Sequence, residues 1–78
     1  MQIEMYTKSN CPNCTAAKQL LAKESLSYTE YDTDIQAVRE QFTRANPDLR
    51  QLPQIWIEGQ RVGGLAGLQA ALPRLLKR

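Results

Sequence analysis

The order in which two hydrophobic periods alternate along the chain restricts its topology more than any other feature. Residues 2–7 read as a strand, with Ile3 and Met5 on one face. Over residues 12–24 the period becomes helical, and Ala17, Leu20 and Leu21 form an apolar stripe. Pro12 suits the first turn of that helix, where its missing N–H is not needed. Residues 27–32 return to strand chemistry at Tyr28 and Thr29. A strand, a helix and a second strand in this order lay the two strands parallel, joined by a right-handed crossover.

The second half reads differently. Thr33 or Asp34 is placed to cap a second helix, which carries Ile35, Val38 and Phe42 and stops at Asn46-Pro47. Gln54 to Ile57 and Gln60 to Val62 flank a Glu58-Gly59 turn, an antiparallel hairpin. Gly63-Gly64 breaks the sheet, and a last helix carries Leu65, Leu68, Leu72, Leu75 and Leu76. Pro73 sits inside that pattern, where it removes a hydrogen bond and either kinks the helix or starts a new turn. The expected fold is α/β: β-α-β-α-β-β-α, with a four-stranded mixed sheet and helices on both faces. With 78 residues and no internal repeat or linker, residues 1–78 are expected to form one domain.

Composition then excludes several function classes. A hydrophobic content of 42% is enough for a packed core and argues against disorder. A net charge of +2 is too small to imply nucleic acid or an anionic membrane. The basic ending, Arg74, Lys77 and Arg78, reads as a solvated helix end, where cations suit the dipole. No apolar run reaches the length of a membrane span, and the N-terminus lacks a secretory pattern. A reducing cytoplasm is therefore expected, where a lone cysteine pair is more often catalytic or metal-binding than structural.

That pair is Cys11-Pro12-Asn13-Cys14, between a strand and a helix. At a helix start, free N–H groups and the dipole favour a thiolate, lowering a thiol from about 8.5 into the range of roughly 3.5–7.5. Lys8 adds positive charge on the same loop. Cys11 is thus the candidate nucleophile, and Cys14, three residues on and on the same face, is the candidate resolving thiol. A zinc site needs about four ligands, whereas the chain has two cysteines and no histidine, so no metal site is expected within one chain. The same residues leave two other readings: a metal or iron–sulfur cluster shared between two chains, in a carrier or sensor without turnover, and an inert buried pair.

Three segments carry a resemblance: Tyr6-Thr7-Lys8-x-x-Cys11-Pro12-x-Cys14, then Leu52-Pro53-Gln54-Ile55, then Val62-Gly63-Gly64. Their order and spacing resemble the dithiol glutaredoxins over nearly the whole chain. The resemblance implies a thioredoxin-like fold with strand order 2-1-3-4. It implies that Pro53 is cis, although the residues alone read as well as a proline opening a strand. It implies a redox-active enzyme with no bound cofactor, taking electrons from glutathione and passing them to disulfide-containing proteins, ribonucleotide reductase among them, as a monomer. The implied glutathione groove comprises Lys8, Asn13, Arg39, Gln51, Leu52, Pro53, Gly64 and Leu65, with the Leu52 backbone free to pair with a cysteinyl substrate. Arg39 also reads as a solvent-facing helix residue.

Two departures qualify the resemblance. Asn13 stands where many members have an aromatic residue, and no acid follows Gly64 in the run Leu65-Ala66-Gly67-Leu68. Arg50-Gln51-Leu52-Pro53 also resembles the small redoxins that serve ribonucleotide reductase and are recharged by thioredoxin reductase.

Overall fold

The structure is a computed structural model that describes residues 1–77; Arg78 of the basic ending lies outside the described residues. The elements follow the expected order: β1 (Ile3–Thr7), α1 (Pro12–Lys23), β2 (Thr29–Asp32), α2 (Gln36–Ala45), β3 (Gln54–Ile57), β4 (Gln60–Gly63) and α3 (Leu65–Leu76). The four strands lie in the order β2-β1-β3-β4. β1 and β2 are parallel, while β1 with β3 and β3 with β4 are antiparallel. Because β1 and β2 run the same way, the loops that follow both strands emerge at one end of the sheet. β3 begins at that same end, with Gln54 opposite Tyr6.

Strand alternation divides the side chains between the two faces. On one face Ile3, Met5, Ile55 and Ile57 pack against Ala17 and Leu21 of α1 and Leu68 and Leu72 of α3. On the other, the Tyr6 ring lies 4.8 Å from both Tyr31 and Phe42 and 5.6 Å from Trp56. Phe42 brings α2 onto this second face. Each such ring pair is worth about 0.5–1.5 kcal/mol beyond its buried area. Among the described residues, no helix is long and apolar enough to cross a membrane.

Three local expectations are corrected. Neither Thr33 nor Asp34 caps α2: Ile35 is the N-cap residue, with no side-chain bond, and is 55% exposed rather than part of the core. Both polar side chains are drawn off to the end of β1. Thr33 Oγ1 donates to Thr7 O at 2.7 Å, and Asp34 accepts from Ser9 N–H. β2 begins at Thr29, two residues later than its composition suggests. Of the two expectations for Pro73, the new turn is not found: α3 runs through it to Leu76 and closes on Lys77 in a left-handed conformation.

The turn at Glu58-Gly59 has positive φ at both residues, 51° and 79°, the geometry a right-twisted two-residue hairpin requires. Gly67 has a different cause. It lies inside α3 where the helix crosses β4, and a Cβ there would collide with Val62 O. Gly67→Ala is therefore expected to lower stability by about 1–3 kcal/mol through overpacking, although alanine is the better helix former by about 1 kcal/mol. Urea unfolding measures the sign; a stabilised variant would mean that α3 does not approach β4 so closely.

An ion pair ties α1 to β2. Lys18 Nζ lies 2.6 Å from Glu30 Oε2, which also accepts from Thr7 Oγ1 at 2.7 Å. The Lys18 ammonium, and then the Thr7 hydroxyl, hold the Glu30 carboxyl below its ordinary range. A carboxyl lowered in the folded state contributes stability above its unfolded value, about 4.3, and loses it as pH falls through the folded value. Both side chains are about a third exposed, so screening keeps the contribution under about 1 kcal/mol. The stability gap between the parent and Glu30→Gln is expected to be full above about pH 5 and to narrow as pH falls below about 4.3, as read by urea midpoints.

Candidate active site

Asn10, in a left-handed conformation with φ 53°, turns the chain from β1 towards α1. Cys11 follows in extended backbone, φ −125° and ψ 96°, as the N-cap residue of α1. Pro12 then occupies the first helical position, and Thr15 N–H bonds Cys11 O at 3.1 Å to close the first turn. The Cys11 sulfur takes the place of a conventional capping oxygen: it accepts the Cys14 N–H at 3.2 Å, one of the first-turn donors a helix leaves unpaired. The two cysteines form a disulfide with Cα atoms 5.2 Å apart. Both are mostly buried, Cys11 at 8% exposure and Cys14 at 2%, so Cys11 is the more open of the two. A donor in this position favours an anionic sulfur over a neutral one.

One side of the cysteine loop is held by charge and hydrogen bonds. Ser9 N–H donates to Asp34 Oδ1 at 3.2 Å. Hydrogen bonding to Ser9 holds the Asp34 carboxyl below its ordinary range, and the nearby Arg39 and Lys8 charges act in the same direction. Arg39 itself donates to Thr33 O at 3.0 Å and Asp34 O at 3.4 Å. Thr33 N–H and Oγ1 both donate to Thr7 O, at 2.8 and 2.7 Å, fastening this loop to the end of β1.

The other side is a groove of about 330 Å³. It is lined by six of the expected residues, Asn13, Gln51, Leu52, Pro53, Gly64 and Leu65. Leu52 comes closest to the chemistry, with its carbonyl oxygen 3.6 Å from Cys11 Sγ. The Leu52–Pro53 bond is cis, as the resemblance implied. Gly64 opens α3 beside it, where a Cβ would stand 3.2 Å from Pro53 O. Lys8 and Arg39 do not line this groove; they lie on the Asp34 side. Gln54, Ala66 and Gln69 do line it and were not anticipated. Gln69 was findable, since it falls four residues after Leu65 and shares its helix face. Gln54 was not, because a residue opening a buried strand gives no sign of reaching a groove.

A family model for glutaredoxins matches residues 3–62. The chain belongs to the glutaredoxin family. It is 35% identical over 68 residues to glutaredoxin 3 of Escherichia coli (strain K12), covering 87% of this chain and 82% of that protein. It is 41% identical over 71 residues to a probable glutaredoxin of Synechocystis sp. (strain ATCC 27184 / PCC 6803 / Kazusa), covering 88% and 80%. The fold superposes with a TM-score of 0.84 on the crystal structure of glutaredoxin 1 from Francisella tularensis complexed with cacodylate, at 26% identity, over 99% of this chain and 98% of that one. As a glutaredoxin with a dithiol pair, the chain is a thiol–disulfide oxidoreductase of thioredoxin-like fold.

The Asp34 contact makes a local claim that can be measured. Asp34→Ala removes the acceptor of Ser9 N–H. Amide exchange at Ser9 is expected to quicken roughly two- to tenfold, the worth of one hydrogen bond, while core amides such as Ile55 keep their rates. Unchanged exchange at Ser9 would show that the loop is held by other contacts.

Proposed function

We propose that this glutaredoxin reduces protein disulfides and mixed glutathione disulfides through Cys11 and Cys14, and that glutathione recharges it. The observation that carries the reading is the Cys14 N–H directed at the more open sulfur, with a groove beginning beside that sulfur. Cys11 Sγ attacks one sulfur of the substrate disulfide. A new S–S bond forms, and the leaving thiolate departs with the electron pair and takes a proton. Cys14, ionised by loss of its proton to solvent, then attacks Cys11 Sγ and expels the second substrate thiolate. Two electrons have passed to the substrate, and the protein holds the Cys11–Cys14 disulfide. One glutathione thiolate opens it as a mixed disulfide on Cys11, and a second releases oxidised glutathione.

The groove residues fit an extended tripeptide. Leu52 offers backbone groups beside the sulfur, and Asn13, Gln51, Pro53, Gly64 and Leu65 form the walls. First-turn N–H groups of α3 suit the carboxylate at one end of glutathione. Lys8 and Arg39 offer cations for the other, Arg39 on exchanging its carbonyl partners for the ligand. Disulfide-containing proteins are the wider substrate class, with ribonucleotide reductase an instance. The working form is a monomer of one domain in a reducing cytoplasm, with no bound cofactor.

A second reading is favoured by the groove itself, none of whose lining residues carries a charge. The ammonium of glutathione then has no carboxylate to meet, and thioredoxin reductase becomes the rival source of electrons. The experiment offers oxidised protein two supplies in parallel, glutathione with its reductase and thioredoxin reductase, and follows NADPH with a small mixed disulfide as acceptor. Turnover through glutathione supports the first reading, and turnover through thioredoxin reductase alone replaces it with the second. Cys14→Ser is expected to lose most protein-disulfide reduction, by tenfold or more if resolution limits turnover, and to keep removal of glutathione adducts. A Cys14→Ser variant that reduces protein disulfides at the parent rate would refute the two-step scheme.

A further inference from the structure

Gln54 is a polar side chain with only 7% exposure, beside the site yet touching neither sulfur. Its amide is engaged at both ends. Nε2 donates to Gln51 O at 3.0 Å, and Oε1 accepts from Arg61 Nη1 of β4 at 3.3 Å. The chain Arg61–Gln54–Gln51 thus connects an edge strand to the segment that faces Cys11.

The effect on that segment follows from peptide geometry. The Gln51–Leu52 bond is trans, and the C=O and N–H of a planar trans peptide point in opposite directions. With the Gln51 carbonyl drawn towards Gln54, the Leu52 N–H faces away from it. Among the described residues no acceptor takes that N–H, and the Leu52 carbonyl has only the Cys11 sulfur, at 3.6 Å. Leu52 therefore presents a donor and an acceptor together, as a strand edge does.

We propose that Gln54, oriented by Arg61, is a positioning residue: it locks the Gln51–Leu52 peptide so that Leu52 pairs with the backbone on either side of a substrate cysteine. This rests on the reading of Cys11 as nucleophile and adds a selection rule, namely that disulfides within a polypeptide are favoured over disulfides without peptide groups. Only an amide serves at position 54, because one end must donate to a carbonyl and the other accept from a guanidinium. A glutamate keeps the Arg61 contact and loses the donor. A leucine loses both.

The test uses two probes with one leaving group: the thiopyridyl disulfide of an N-acetylated, C-amidated Ala-Cys-Ala peptide, and the thiopyridyl disulfide of ethanethiol. Fully reduced protein reacts with each in a single turnover, and the released thiopyridone gives the rate. In the step a bond forms between Cys11 Sγ and the alkyl sulfur, and thiopyridone leaves with the electron pair. The parent prefers the peptide probe. Gln54→Leu and Gln54→Glu reduce that preference about two- to tenfold, the worth of one hydrogen bond, with the pH midpoint of the ethyl reaction unmoved. Arg61→Met, at an exposed position, reduces it by less and covers the case in which the Gln54 variants fold poorly. Equal slowing on both probes, or an unchanged preference in every variant including Arg61→Met, would overturn the proposal. A parent that reacts with neither probe would overturn the assignment of Cys11 itself, a result separable from both.

Discussion

Everything at the site depends on α1 beginning at Cys11. The sulfur caps the helix only because Cys11 is extended while Pro12 is already helical, and that junction points the Cys14 amide back at the sulfur at 3.2 Å. Moved one residue in either direction, the N–H would meet a backbone atom or solvent instead. The junction is held from three directions. Asn10 turns the chain in a left-handed conformation, Asp34 takes the amide of Ser9, and the buried Cys14 anchors the first turn beneath. The donor is a backbone group of a packed helix, so it needs no reorganisation when charge appears on the sulfur. That makes it effective in a low-dielectric setting, where the same bond in water would be worth little.

The surroundings of the sulfur are divided by polarity. Towards α2 lie Lys8, Arg39 and Asp34, with Arg39 held by the Thr33 and Asp34 carbonyls and the Asp34 carboxylate by Ser9 N–H. Towards α3 lie Asn13, Gln51, Gln54 and Gln69, polar and uncharged, among Leu52, Pro53 and Leu65. A substrate crossing the sulfur therefore meets cations on one flank and neutral hydrogen-bonding groups on the other. Sheet topology produces this division. α2 covers the face opposite α1 and α3, and the cysteine loop lies at the end of β1, between the two layers.

Much of this was legible in the sequence, and the reasons differ by element. Strand and helix order was readable because Ile3 and Met5 alternate while Ala17, Leu20 and Leu21 recur at helical spacing. The hairpin was readable because Glu58-Gly59 supplies the two positive φ values that a tight turn needs. The cysteine motif was readable because proline marks the first turn and so places Cys11 just outside it. Thr33 and Asp34 were misread for a definite reason: their preference for capping is local, whereas the end of β1, distant in sequence, offers Thr7 O and Ser9 N–H as partners. Gln54 escaped for the same reason, whereas Gln69 was within reach of its helical spacing from Leu65. A glutamine is uninformative in sequence, and its role appears only when folding brings Gln51, Arg61 or the groove within reach.

The close approach of α3 to the sheet also has a physical account. α3 lies so close to β4 at Gly67 that a Cβ there would overlap Val62 O. No carboxylate can stand at 67 without moving the helix. Gly64, one turn earlier, faces Pro53 O at a separation tolerable only with slight relaxation. Gly67 sets how near α3 comes to β4, and Gly64 how near its first turn comes to the Leu52–Pro53 segment across the groove. Close approach at 67 leaves no room for a side chain between α3 and β4, while the groove side of α3 is walled by Leu65, Ala66 and Gln69. The neutrality of this flank follows instead from the side chains that α3 turns to the groove, Leu65, Ala66 and Gln69, and an acid at 66 would charge the groove without disturbing the contact at 67.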